Sequence, residues 1–299
     1  MNEAEATLGQ DMGSSRHGKS EDKAPRKKTS SIILDCLVKL GAFLTAAALV
    51  IIVGYILIMG IPNLSPSLFA WEYNSDNVSV MPSIIDTLLA VLLTLLIAVP
   101  LGVMSAIYLV EYTTRGNKFV KVVRVTAETL SGIPSIVYGL FGMIFFVTFL
   151  GWGLSLLSGC LTLAIMVLPT IMRSTEEALQ AVPDSYREGS FGLGAGRLHT
   201  VLHVVLPPAM PGIVGGIILA IGRIVGESAA LIFTAGTVAQ IPSGVFQPIR
   251  TLAVHMYVIS CEGLHIDEAY ATAAVLLVVV VIINALAKII SNALVKKGE

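Results

Sequence analysis

Charged side chains are scarce in this sequence. They make up 13% of its 299 residues, whereas hydrophobic residues make up 55%, and soluble domains typically carry about 25% charged residues. This balance excludes a soluble protein with a single buried core. The 19 basic and 20 acidic residues leave a net charge of −1. The chain therefore lacks the basic excess with which nucleic-acid-binding proteins neutralise phosphates, and we expect no nucleic-acid partner.

Cysteine and metal-ligand clusters are also rare. Cys36, Cys160 and Cys261 are widely spaced and form no C-x-x-C pair, so neither a disulfide framework nor a zinc site is predicted from them. His199 and His203 are four residues apart, but the glutamate of H-E-x-x-H and a third ligand are missing. This spacing favours solvated or partner-facing histidines over a metal site.

Long apolar runs dominate what remains. A helix needs about 20 apolar residues to cross the hydrocarbon core of a membrane, and six stretches meet or approach that length. The predicted spans are Leu40–Ile61, Ile84–Leu109, Ile133–Leu150, Leu154–Ile171, Met210–Phe233 and Ala271–Ile290. The sequence thus predicts an all-α membrane protein with six transmembrane helices, in contact with the lipid bilayer.

The basic residues indicate the orientation of these spans. All of the 19 Lys and Arg residues except Arg223 and Arg250 fall in the first tail, in alternate loops or at the chain end. Positive charge is enriched in cytoplasmic loops. We therefore expect both termini to lie in the cytoplasm.

The chain divides by composition into three parts. Residues 1–32 are polar and are predicted to form a disordered cytoplasmic tail. Residues 33–82 are predicted to form the first span and an outer segment, and residues 83–299 are predicted to form a membrane core.

The tail contains Gly13 to Ser20 in the order G-x-x-x-x-G-K-S. A phosphate-binding loop needs a preceding strand and a following helix, and neither is predicted here, so we expect no nucleotide site.

The segment from residue 174 to residue 207, between the fourth and fifth spans, carries the most specific pattern. It predicts a short amphipathic helix ending near Pro183, and a second helix capped by Asp184 or Ser185. A glycine break and a third helix ended by Leu206-Pro207 follow. Such an elbow offers another protein a rigid contact surface.

This segment resembles the cytoplasmic signature of ABC importer permeases, E-A-A-x3-G-x9-I-x-L-P. The matching residues are Glu188, Gly189, Ser190, Gly194, Val204, Leu206 and Pro207. Small residues replace both alanines, and valine replaces isoleucine. The resemblance implies the MetI-like architecture and a coupling loop that docks on a separate ATP-hydrolysing subunit. This chain would then be a transport subunit without enzyme activity of its own.

Further motifs narrow the resemblance to phosphate-specific permeases. These motifs are the runs Gly132–Gly142 and Gly222–Leu231. Two outer runs are similar to the PstA-type subunit in particular; they are Arg250–Tyr257 and Glu268–Ala273. The resemblance implies a PstC-type second permease, two copies of an ATP-binding subunit that hold ATP and Mg, and an extracytoplasmic phosphate-binding protein. It implies no cofactor on this chain, and a bacterial or archaeal plasma (inner) membrane.

Two ionisable residues in the fifth predicted span are candidates for the substrate pathway. Arg223 and Glu227 are four residues apart, which predicts one helical face and a mutual ion pair. Charges inside a membrane span are costly, and a guanidinium matches tetrahedral oxyanions. A static ion pair that fixes helix packing is the alternative. Arg173 is a possible second oxyanion contact or, equally, an anchor at the membrane surface.

Two other functions are compatible with these residues. A permease of the same superfamily could carry sulfate, molybdate or phosphonate, since Arg223 suits each of these anions. An ATP-independent channel or secondary transporter would need midplane carboxylates or repeats. The predicted spans contain few carboxylates and no clear repeat, which disfavours this third function.

Overall fold

The computed structural model describes residues 29–114 and 116–296, and all regular structure within them is helical. This confirms the predicted all-α fold. The α-helices of this part of the chain are α1 (Thr29–Gly60), α2 (Met81–Ile107), α3 (Lys118–Ser131), α4 (Ser135–Gly142), α5 (Leu156–Gln180), α6 (Asp184–Gly192), α7 (Arg197–Thr200), α8 (Leu206–Val225), α9 (Ala229–Thr234), α10 (Leu252–Glu262) and α11 (Ile266–Lys296). Residues 1–28 of the predicted disordered tail lie outside the described residues. Residues 29–32 of that tail are helical and form the start of α1.

Several of these helices are extended by tighter or wider turns. Two 3₁₀ helices, Ile61–Asn63 and Pro66–Phe69, follow α1. Wider π-helical turns continue α2, α4 and α7; they are Tyr108–Tyr112, Met143–Phe149 and Val201–Val205. Each of these π turns prolongs a helix instead of ending it.

Five helical segments are long and apolar enough to cross a membrane. They are Leu34–Asn63, Met81–Tyr112, Leu156–Gln180, Arg197–Val225 and Ile266–Ile289. A sixth span results if α3 and the segment Ser135–Phe149, which meet at a bend of 102°, are counted together. The bend falls at Pro134, which lacks an amide hydrogen and has extended backbone angles. The third predicted span therefore corresponds to the second arm of this bent pair.

The fifth predicted span is wrong as a continuous helix. We expected Met210–Phe233 to be one element, but α8 ends at Val225 and α9 begins only at Ala229. Gly226 destabilises the helix at this point. In addition, Glu227 Oε1 accepts a hydrogen bond from the Ala230 amide at 3.0 Å, which satisfies a backbone donor at the start of α9.

The chain folds as two compact units, one ending at Ile52 and the other formed by Val53–Glu299. Most of the described side chains up to Ile52 are exposed apolar groups. In the second unit, α5 occupies the centre and packs against α2, α3, α4, α8 and α9. Its residues Leu163, Met166 and Ile171 are fully buried in the largest apolar cluster.

Small residues bring α5 and α8 into close contact. A Cβ atom placed on Gly216 would lie 2.4 Å from Ser174 Cβ, and one on Gly212 would lie 2.6 Å from Ala178 Cβ. Real Cβ atoms do not approach so closely. The glycines, four residues apart on one face of α8, thus permit the two helices to touch along the turns of α5 that lead to the predicted elbow.

Candidate functional site

The elbow after α5 is built by a glycine-terminated helix. Gly194 has φ +85°, a left-handed conformation that only glycine adopts without strain. Its amide donates to Phe191 O at 2.9 Å, and the Ala195 amide donates to Ser190 O at 3.1 Å. These two bonds form the Schellman arrangement that ends a helix. They explain physically why the predicted signature has glycine at this position.

An arginine that the sequence analysis did not single out anchors the elbow. Arg187 Nη2 lies 2.7 Å from Glu111 Oε1, and the side chains of both residues are largely buried, with exposures of 14% and 7%. The same guanidinium donates to the carbonyls of Val182 and Leu179, each at 2.8 Å. It thereby caps the end of α5 and ties α6 to the π turn that extends α2. The position of Arg187 in a basic loop gave no signal of this pairing.

Ser190 has an internal contact instead of a surface one. It is 9% exposed, and its Oγ lies 2.8 Å from Thr200 Oγ1, which also donates to Gly196 O at 3.2 Å. These bonds join α6 to α7 across the glycine turn. Among the signature residues, the structure therefore places Ser190 inside the elbow, as a link between its two arms.

The outer face of the elbow is exposed and largely apolar. Glu188 and Gly189 are exposed on α6, and Leu193 at the tip is 91% exposed. Beside them, a surface cavity of about 620 Å³ is lined by residues that include Tyr186 and His199. An exposed, largely apolar surface bordered by acidic groups suits contact with another protein.

The last three signature residues lie where the elbow joins the membrane helix. Val204 belongs to the π turn Val201–Val205, and Leu206 and Pro207 begin α8; all three are half-buried. Our expectation that Leu206-Pro207 ends the third helix is wrong. Proline is tolerated in the first turn of a helix, where its missing N–H has no partner to lose, so the helix continues into α8. The first predicted helix is likewise not separate, because it is the end of α5.

The predicted pairing of Arg223 with Glu227 is also wrong. Arg223 is half-buried in the last turn of α8, but Glu227 follows the end of that helix and caps α9 instead. No ion pair joins these two side chains in the part of the chain that the structure describes. Tyr138 of α4 belongs to the same buried apolar cluster as Ile224 and Val225 of α8. The end of α8 that carries Arg223 therefore borders the core that α4 also enters, and α8 itself contains no carboxylate.

Arg173 lies near the elbow end of α5. It is exposed and pairs with Glu177 at 3.0 Å, one turn further along the same helix. It also lines a cavity of about 460 Å³ between α3 and α5, together with Glu128 and Glu176. The structure therefore places Arg173 near the elbow end of α5 and Arg223 at the end of α8 that is remote from the elbow. Acidic residues surround Arg173.

A buried polar cluster at the start of α10 was missed by the sequence analysis. Arg250 Nε donates to Thr237 O at 2.6 Å, its Nη1 lies 3.2 Å from His255 Nδ1, and its guanidinium lies 5.0 Å from the centre of the Tyr73 ring. The Arg250 amide donates to Asp86 at 2.9 Å. Because arginine can only donate, His255 Nδ1 accepts, and the ring proton is on Nε2. The one sequence signal for this cluster was the position of Arg250 in a predicted outer loop that contains no other Lys or Arg.

The environment of His255 disfavours its charged form. This histidine is outside the candidate spans and fully buried. Burial, and secondly the charge of Arg250, lower the pKa of His255 to about 4. The ring is therefore neutral at physiological pH and acts as a hydrogen-bond acceptor for Arg250.

The remaining sequence candidates carry no site chemistry in the described residues. His199 and His203 stack with ring centroids 4.3 Å apart, and no group of three metal-ligating side chains is found in residues 29–114 and 116–296. The three cysteines are unpaired thiols. Residues 13–20, with the G-x-x-x-x-G-K-S spacing, lie outside the described part.

Five or six candidate spans, joined at one end by an elbow with an exposed face, define a multi-pass membrane protein. The chain belongs to the family described as binding-protein-dependent transport system inner membrane component, whose model matches residues 98–297. It is a permease subunit of an ABC importer.

Individual relatives support this membership. The Bacillus subtilis (strain 168) "Probable ABC transporter permease protein YqgI" is 36% identical over 274 residues, which cover 86% of this chain and 93% of that protein. "Phosphate transport system permease protein PstA 1" of Mycobacterium tuberculosis is 38% identical over 197 residues, 65% of this chain and 63% of that protein. The fold matches a bacterial alginate ABC transporter in complex with its periplasmic protein, with TM-score 0.63 and 16% identity over 91% of this chain and 99% of that one.

Proposed function

We propose that this chain is a membrane-spanning subunit of an ATP-driven, high-affinity phosphate importer. It forms the translocation path together with a second, PstC-type permease and works by alternating access. The observation that carries the proposal is the elbow: Glu188 is exposed on α6, while Arg187 on the same helix is locked to Glu111 of the α2 extension. A helix that is fixed to the membrane helices on one face and exposed on the other can transmit the movement of a subunit bound to it.

The proposed assembly places ATP outside this chain. Two copies of an ATP-binding subunit, holding ATP and Mg, dock on the elbows of the two permeases, and this chain requires no cofactor. An extracytoplasmic phosphate-binding protein delivers the substrate. The elbow and both termini lie in the cytoplasm, because nearly all Lys and Arg residues fall on that side. The membrane is the bacterial or archaeal plasma membrane.

Phosphate is proposed as the substrate from similarity and from Arg223 together. A relative with 38% identity is named as a phosphate transport permease. Arg223 supplies a half-buried guanidinium whose fork of donors matches a tetrahedral oxyanion. Because Glu227 bonds to the Ala230 amide, its carboxylate does not pair with Arg223, which keeps that guanidinium available to an anion. Arg173 is proposed as a second contact, nearer the elbow.

Labelled phosphate uptake tests the proposal. Cells without their own high-affinity system receive the partner subunits and either this chain, Arg223→Gln or Arg223→Lys, with membrane abundance measured for each. We expect uptake by the intact chain, loss of uptake in Arg223→Gln, and partial uptake in Arg223→Lys, which keeps the charge but not the fork. Equal uptake by all three forms would reduce Arg223 to a packing role.

A permease for another oxyanion is the second candidate, because Arg223 would also suit sulfate, molybdate or phosphonate. The same cells are given labelled sulfate, molybdate or phosphonate in place of labelled phosphate, and uptake of each is measured directly. A well-inserted chain that takes up no phosphate but takes up one of the other anions would establish this alternative.

A further inference from the structure

Helix α3 exposes a stripe of apolar side chains. Phe119, Val122 and Val125 are 59%, 62% and 54% exposed, and their spacing of three residues places them on one side of the helix. The opposite side packs on the protein, since Val120 shares a buried cluster with Met172 of α5. The stripe is thus an outward-facing surface of a helix whose other side is already occupied.

Helix α3 crosses the end of α5 instead of running beside it. Val120 contacts Met172, Arg124 pairs with Glu176, and Ser131 lines one cavity with Pro169. These α5 residues span only about 11 Å along α5, whereas their partners on α3, from Val120 to Ser131, extend over about 17 Å. With the bend of 102° from the segment Ser135–Phe149, this places α3 across the bundle at its elbow end.

The composition of α3 excludes burial in hydrocarbon. Its 14 residues include Lys118, Lys121, Arg124 and Glu128, and each charge at membrane depth costs several kcal/mol. Tyr108 and Tyr112, stacked and exposed on the π turn that precedes α3, are of the type enriched at the membrane surface. Their position puts the start of α3 at this level.

We propose that α3 lies in the membrane–water interface, with Phe119, Val122 and Val125 in the acyl-chain boundary and Lys118 and Lys121 on anionic lipid headgroups. The lipid surface is favoured as occupant because an apolar stripe flanked by exposed lysines is complementary to it in both polarity and charge. The inference rests on membrane insertion and on the proposed orientation, and it holds for any transported anion.

Spin-label accessibility in the assembled transporter tests the position of the stripe. Nitroxides are attached at Val122→Cys or, as a matched control on the polar side, at Glu128→Cys, in a background with Cys36→Ser and Cys261→Ser. We expect the label at residue 122 to be relaxed by oxygen and not by a water-soluble nickel chelate, and the label at residue 128 to show the reverse. Relaxation of label 122 by nickel, or its protection from both reagents by another subunit, would overturn the proposal.

Lipid retention tests the headgroup contacts. The complex is purified from bilayers of phosphatidylglycerol and phosphatidylcholine, and the retained lipids are quantified. Each of Lys118→Gln and Lys121→Gln should lower the preference for phosphatidylglycerol by about fivefold, whereas Lys118→Arg and Lys121→Arg should preserve it. An unchanged preference in the glutamine variants would refute the headgroup contact. Phosphate uptake does not enter either readout, so failure of the proposed substrate leaves both results interpretable.

Discussion

The glycine contact between α8 and α5 gives a prediction with a built-in control. A Cβ on Gly216 would meet Ser174 Cβ at 2.4 Å, whereas one on the adjacent Gly215 would meet nothing within 4 Å. Replacing glycine by alanine within a helix stabilises it by about 1 kcal/mol. Overpacking a close contact destabilises by about 1–3 kcal/mol. Gly215→Ala should therefore be neutral or stabilising, and Gly216→Ala should be less stable than Gly215→Ala by about 1–3 kcal/mol, because both variants share the gain in helix propensity and only Gly216→Ala meets Ser174.

Thermal inactivation of the purified complex measures this difference. A change of 1 kcal/mol shifts the midpoint by about 2–4 °C in a domain of this size, so Gly216→Ala should lie about 2–12 °C below Gly215→Ala. The collision is with Ser174 Cβ itself, which no rotamer change can move. Ser174→Gly should therefore raise the midpoint of Gly216→Ala, although it lowers that of the parent because glycine weakens the interior of α5. Equal midpoints for Gly215→Ala and Gly216→Ala would refute the close packing.

Three further perturbations address the elbow and the buried cluster. Glu188→Lys should abolish uptake while ATP hydrolysis and membrane abundance persist, because Glu188 is exposed; unchanged uptake would remove it from the docking surface. Arg187→Gln should destabilise the complex by about 3–5 kcal/mol by leaving Glu111 buried without its partner, and Glu111→Gln should recover part of that loss in a thermal assay. For His255, the folded-state pKa of about 4 lies below the ordinary value of 6.5, so the unfolded state binds more protons between these values and stability falls as pH decreases. The loss is about 2 kcal/mol at about pH 5. The thermal midpoint of the parent protein should therefore fall more steeply between about pH 8 and about pH 5 than that of His255→Gln. Identical pH profiles for the two proteins would contradict this expectation.

The sequence was sufficient for the features that depend on apolar length and on turn chemistry. Spans are set by long hydrophobic runs, and their number was predicted correctly when the bent pair is counted once. Gly194 was identified from its spacing, and its positive φ shows the physical reason for that spacing. Both signals are local, which is why a single sequence carries them.

What the sequence could not supply depended on competing local interactions or on distant partners. The interruption after Val225 arises because Glu227 bonds to the Ala230 amide, a choice that helical periodicity does not reveal. The continuation through Leu206-Pro207 depends on a wider turn before the prolines. The pairing of Arg187 with Glu111 joins residues 76 positions apart, and no spacing rule relates them.

The pairing of Arg187 with Glu111 determines which helices move first when a bound subunit displaces α6. Because the Arg187 guanidinium bonds at once to Glu111 and to the last carbonyls of α5, α6 cannot be displaced without drawing on two spans together. The helix that follows the elbow, α8, is in turn packed against α5 through Gly212 and Gly216. A subunit bound to α6 would therefore move α2 and α5 together, and α8, with Arg223 in its last turn, would follow α5 through this contact.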